Sequence, residues 1–447
     1  MVVQTDPAPR TAPAAPFVPG RGASVPPPSV PLSFLAAAGL GLGLVGLAVW
    51  FAAGRIVTAP AHPGALAAVH VGMLAFLTTA VLGAAHQFTP VVARRPLRSV
   101  AVARLTLVGM VATAWLLPSG FAHGPESLVA AGGVTGAVTV LLAAWNLSGP
   151  LSAGGDGVPL AGLRLSVTYL VVTVAFGVVY AFDRQAAWFP LLPHRVLAHA
   201  HVGLLGWLGL TYVAVAEKLW PMFLLAHRPR AREGAWAVGL VGTGVPLLAA
   251  GLLFAAPAVA WPGGLAVGAG LVCHLVSLVQ VVRHRRRPLE LLHGFLFASA
   301  AFLVLALAFG AAAALLPVDT PTRTRLVAAE VAALAAWLGL AVIGHVHKIV
   351  PFISYTALRA RGLTTGRSGR PLMFADLLHR PTARLTLAVA AAGYLLAVAG
   401  VAAASRDVLA VGGATVAAAG VLVTANLATG PRLAVRAGGE TAPRRSP

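Results

Sequence analysis

The sequence predicts an all-α, polytopic membrane protein: twelve spans in three units of four helices, with threefold pseudo-symmetry. Three observations carry that prediction. The 447 residues are 58% hydrophobic and only 10% charged, and the mean hydropathy is +0.85. A soluble domain holds far more charge. Twelve apolar stretches come close to the roughly 20 residues that cross a bilayer core. One pattern occurs three times, its copies about 130 residues apart, as repeat architectures require. Strand periodicity is absent, which excludes a membrane barrel.

In chain order the spans are 31–54, 64–92, 99–119, 126–147, 159–182, 195–223, 234–256, 260–282, 291–317, 324–352, 382–404 and 407–428. The repeat units cover about 31–147, 159–282 and 291–428. Residues 1–30 are rich in Pro and Ala with no apolar run, so they predict a disordered cytoplasmic tail. Residues 431–447 predict a second tail.

The net charge of +20 does not indicate a nucleic-acid partner, because the arginines are spread over loops. They follow even-numbered spans: Arg94, Arg95 and Arg98; Arg228, Arg230 and Arg232; Arg283, Arg285, Arg286 and Arg287; and Arg359 through Arg384. The positive-inside rule then places both termini in the cytoplasm, and the inner membrane of the cell is the expected location. The single cysteine, Cys273, excludes a disulfide framework, an iron–sulfur cluster and a CxxCH haem attachment.

The repeat falls on spans 2, 6 and 10, starting at His70, His201 and Val331 and ending at Pro90, Pro221 and Pro351. Six residues after each start come Phe76, Trp207 and Trp337, expected as packing residues. Sixteen residues after each start come His86, Glu217 and His347, and the next positions are Gln87, Lys218 and Lys348. These three spans are expected to form the inner ring. Their small residues (Gly72, Gly203, Gly206, Gly209, Gly344) allow close approach to helices or to a flat ligand.

Two polar layers result. His70, His199 and His201 lie in the outer half. His199 and His201 form an HxH pair whose side chains point about 200° apart on a regular helix, so they serve two compartments. Neutral imidazoles are good axial haem ligands, and His70 with His201 is the expected bis-histidine pair. In the inner layer, His86, Glu217, His345 and His347 are a candidate transition-metal or proton-relay ring, though an interfacial belt gives the same pattern. Glu330 is an intramembrane carboxylate and a candidate for proton transfer.

The stretch AHAHVGLLGWLGLTYVAVAEKLWP (198–221) resembles the tenth helix of the haem-copper oxidase subunit I superfamily, closest to cbb3-type oxidase and nitric oxide reductase catalytic subunits. The resemblance implies twelve helices in three arcs, a low-spin b-type haem on His70 and His201, and a second haem on His199. It implies an oxidoreductase using nitric oxide or oxygen, with an electron donor or other membrane redox subunits as partners. The pattern departs from the family in placing HxH on span 6. Span 7 has no histidine and no HH dipeptide occurs, so no copper site is recognisable. A divergent, NnrS-like member is the implied relative. Two other functions fit the residues: a transporter or proton/metal channel lined by spans 2, 6 and 10, and a haem or nitric oxide sensor without turnover.

Overall fold

The structure, a computed structural model, describes residues 25–152, 157–227, 232–366 and 370–435, with side chains to residue 429. The expected tails lie largely outside the described residues, as do Arg228 and Arg230. Twelve helices are long and apolar enough to cross a membrane. They are α1 (Ser29–Thr58), α2 (Pro63–Ala93), α3 (Val100–His123), α4 (Glu126–Leu151), α5 (Val158–Ala186) and α6 (Pro193–Leu224). Then follow α7 (Arg232–Leu253), α8 (Pro257–Arg283), α9 (Leu291–Leu315), α10 (Thr320–Ala360), α11 (Arg380–Ala402) and α12 (Arg406–Thr429). No strand is present among the described residues; one isolated bridge joins Thr365 and Pro371.

The helices start where local chemistry allows. Ser99 caps α3, its hydroxyl accepting from Val102 N, and Asp319 caps α10, its carboxylate accepting from Thr322 N at 2.9 Å. Proline opens α2, α5, α6, α8, α10 and α11 within the first two positions, where its missing N–H costs nothing. At their basic ends α2 and α6 both stop at a left-handed residue, Arg94 and Leu225.

Sequential neighbours pack within each half of the chain, α1 to α8 and α9 to α12, and α1 packs on α12, so the first and last spans meet. Gly46 of α1 sits directly on the Ala417 backbone, a contact that any side chain would open. The most buried spans are α2, α6 and α10: 56%, 67% and 56% of their most apolar window is inside, against at most 44% elsewhere. Polar and aromatic contacts join them. Trp207 Nε1 of α6 donates to Thr78 Oγ1 of α2 at 3.3 Å. Tyr212 of α6 meets Trp337 of α10 edge to face, with centroids 5.7 Å apart. Trp207 and Trp337 are both buried core residues, as expected of the repeat.

Two features duplicate beyond the histidine repeat. Asn146 of α4 accepts from Ser99 N at 2.8 Å, and Asn426 of α12 accepts from His379 N at 3.1 Å. Each asparagine latches the start of the preceding span, and each latch is followed by the pentapeptide ARLTL, at 103–107 and 383–387. The second feature is backbone. A π-helical stretch follows His70 (Val71–Thr78) and another follows His201 (Val202–Gly209), at identical repeat positions. The third copy begins with Val331 instead of histidine, and α10 is unbroken α-helix there.

Candidate functional site

The π stretches directly follow His70 and His201. A π turn widens the helix and re-aims the residues around it, and such turns concentrate at functional sites. His70 and His199 face each other across α2 and α6, with ring centroids 6.5 Å apart and planes 21° from parallel. Phe121 of α3 lies 5.0 Å from His70. Phe176 and Tyr180 of α5 lie 6.4 and 6.0 Å from His199. Tyr180 is fixed by its hydroxyl, which donates to Arg195 O at 2.8 Å. Above this cage, Arg184 forms a two-point ion pair with Glu126, both contacts 2.5 Å, and its guanidinium covers Phe121 at 5.3 Å.

His201 has a different neighbour. It is buried, and Glu330 of α10 lies within its electrostatic reach. The Glu330 carboxylate lies against Gly310 of α9, where an added Cβ would come within 2.7 Å of Oε1. The structure therefore brings His70 together with His199.

Hydrogen bonding fixes the chemistry of these rings. His70 Nδ1 contacts Leu66 O at 2.8 Å, and His201 Nδ1 contacts Leu197 O at 2.8 Å. A carbonyl only accepts, so Nδ1 carries the proton in each ring. The neutral ring then presents a lone pair at Nε2, as in metal-ligating histidines whose other ring nitrogen donates to a backbone carbonyl. His199 Nδ1 is buried without a partner.

The opposite ends of these helices are also histidine-rich, but their members do not converge. His86, His345 and His347 each donate Nδ1–H to the carbonyl four residues back, at 2.7 Å, and each Nε2 is buried without a partner. His86 packs on Phe34 of α1, and His347 stacks on Phe295 of α9 at 5.2 Å. Glu217 accepts from Ser277 Oγ of α8 at 2.5 Å and lies on Gly234 of α7. The ring expected of His86, Glu217, His345 and His347 is thus not assembled. Equal positions on three helices aim at three different flanking helices, not at one axis. Among the described residues no three His, Cys, Asp or Glu side chains gather at metal-binding range.

Sequence reasoning missed two groups. Tyr212 stands between His274 of α8 and His345 of α10, with centroids 5.5 and 6.0 Å away and near-perpendicular rings. His274 is fully buried with neither nitrogen partnered. His293 of α9 accepts Glu290 N–H at 2.9 Å through Nδ1, and Glu290 pairs with Lys348 at 2.5 Å. Histidine and tyrosine counts marked these residues, but only the packing of α6, α8 and α10 shows that they are neighbours.

No protein-family model matches the chain, and no characterised protein matches it significantly.

Proposed function

We propose that this protein is an integral membrane haem redox protein of the oxidase subunit I type, with b-type haem held between His70 and His199. The single observation that carries this reading is the spacing of those two rings. Two metal–imidazole bonds of about 2 Å and two ring half-widths of about 1 Å sum to about 6 Å between centroids. The 6.5 Å separation fits a metal between the rings. The aromatic walls of Phe121, Phe176 and Tyr180 fit a flat apolar ligand. Bound there, haem supplies one-electron chemistry.

The protein's own residues then have defined tasks. Leu66 O orients His70 and holds its lone pair at Nε2. Tyr180 and Phe176 hold His199 in place and exclude water. Arg184 and Glu126 close the outer end over Phe121. His201, the partner that the repeat suggests for His70, stays buried on α6 outside this ring pair. The duplicated asparagine latches and π stretches support three related four-helix units around α2, α6 and α10. The arginine distribution supports cytoplasmic termini in the inner membrane.

The test is a dithionite-reduced optical spectrum of the purified full chain, with pyridine haemochrome quantification. The proposal expects a low-spin α-band and haem bound in stoichiometric amount. Colourless protein from haem-replete cells refutes it. The unpartnered inner imidazoles favour a second reading, a proton or metal channel, which requires colourless protein that conducts ions in vesicles.

A further inference from the structure

The surface of α8 ends in a feature that neither the haem reading nor the helix packing uses. Val272, Val276 and Val279 are all exposed, and steps of four and three residues put them on one face of the helix. The next position on that face is Arg283, also exposed. From Val272 to Arg283 the helix rises about 16 Å, the thickness of one leaflet's hydrocarbon.

The chain does not fray after Arg283. The amides of Arg286 and Arg287 both donate to Leu224 O, at 2.9 and 3.1 Å, which ties the loop to the end of α6. The Arg285 guanidinium donates to Val282 O at 2.9 Å. Four arginines are therefore carried on an anchored loop at the membrane rim. The nearest carboxylate in sequence, Glu290, is occupied by Lys348. No described ion pair neutralises Arg283, Arg285, Arg286 or Arg287.

We propose that this face is a binding site for an anionic phospholipid. One acyl chain lies along Val272, Val276 and Val279, and the phosphate head group is held by the arginines of the anchored loop. The apolar stripe runs without interruption into the cationic loop, which matches a diacyl phosphate lipid. A nucleic acid or an acidic peptide would leave the valine stripe unused. Arginine recognises phosphate through paired N–H donors, and clustered basic residues at a span's end attract anionic lipid.

The experiment is native mass spectrometry of the full chain from micelles with phosphatidylglycerol or phosphatidylcholine. The wild type retains phosphatidylglycerol and not phosphatidylcholine. The variant Arg283→Gln/Arg285→Gln/Arg286→Gln/Arg287→Gln loses the retained lipid. The variant Val276→Asn/Val279→Asn weakens retention with the arginines intact. Arg94→Gln/Arg95→Gln, in another exposed basic loop, retains lipid as the wild type does. Circular dichroism checks that each variant keeps its helices. Undiminished retention in the four-arginine variant overturns the proposal. So does equal loss in Arg94→Gln/Arg95→Gln, which would mean diffuse attraction, and so does retention of phosphatidylcholine.

Discussion

Gly206 lies inside the π stretch of α6, and replacing it with alanine tests how tightly that stretch is held. An alanine Cβ there would lie 2.8 Å from Tyr169 Cγ and 3.0 Å from Tyr169 Cβ. Ordinary contact begins near 3.4 Å, so the helices must part by about 0.6 Å or the ring must turn. The ring is not free to turn, because the Tyr169 hydroxyl donates to Gly242 O of α7. Rooted on α5 and tied to α7, Tyr169 cannot yield to α6 without moving both. Overpacking of this kind costs about 1–3 kcal/mol. For a chain of this length that lowers the apparent melting temperature by about 1–4 °C. Gly239→Ala on α7 is the control: its Cβ would meet nothing within 4 Å. There the gain in helix propensity leaves stability unchanged or raises it by up to about 1 kcal/mol. The assay is thermal unfolding of both variants in the same detergent. Equal melting temperatures for Gly206→Ala and wild type would refute the described seam between α5, α6 and α7.

Four further outcomes follow from the same contacts. Trp337→Ala empties a fully buried site between α6 and α9–α10 and costs about 3–5 kcal/mol, read as loss of folded protein on size exclusion. His274→Leu removes a buried ring with two unpartnered nitrogens, so the melting temperature holds or rises; a clear fall would mean that the ring has a ligand. Glu126→Gln breaks a partly exposed ion pair worth about 0–1 kcal/mol, so stability changes little. Asp319 caps α10, and its hydrogen bonds from Thr322 hold its carboxyl below the usual carboxylate range. Its stabilising contribution is present at neutral pH and is lost as pH falls through that lowered value. Asp319→Ala should therefore lower the melting temperature at pH 7 and make no difference in strong acid.

Much of the fold was legible because hydropathy is a direct reading of bilayer burial. All twelve spans occur where the apolar runs lie. Their ends were less legible: α10 runs Thr320–Ala360, well beyond the apolar 324–352, because its polar ends still form helix outside the hydrocarbon. The central position of α2, α6 and α10 followed from the repeat. The partner of His70 did not. Matching repeat positions on spans 2 and 6 pointed to His201. The π stretch begins immediately after His201 and turns the outer segment relative to the rest of α6. It is His199 that meets His70. Nothing in the composition of VGLLGWLG marks a π turn, so that rotation was invisible. The inner ring failed for a related reason: register fixes depth but not azimuth, and His86, Glu217 and His347 each turn towards a different neighbour.

Comparison of two alanine variants, His199→Ala and His201→Ala, bears most directly on the pairing of imidazoles across α2 and α6. Electron paramagnetic resonance of the oxidised, haem-loaded protein distinguishes bis-imidazole low-spin iron from other states. The account predicts that His199→Ala, like His70→Ala, abolishes that signal while His201→Ala keeps it. Loss of the signal in His201→Ala with its survival in His199→Ala would contradict the account.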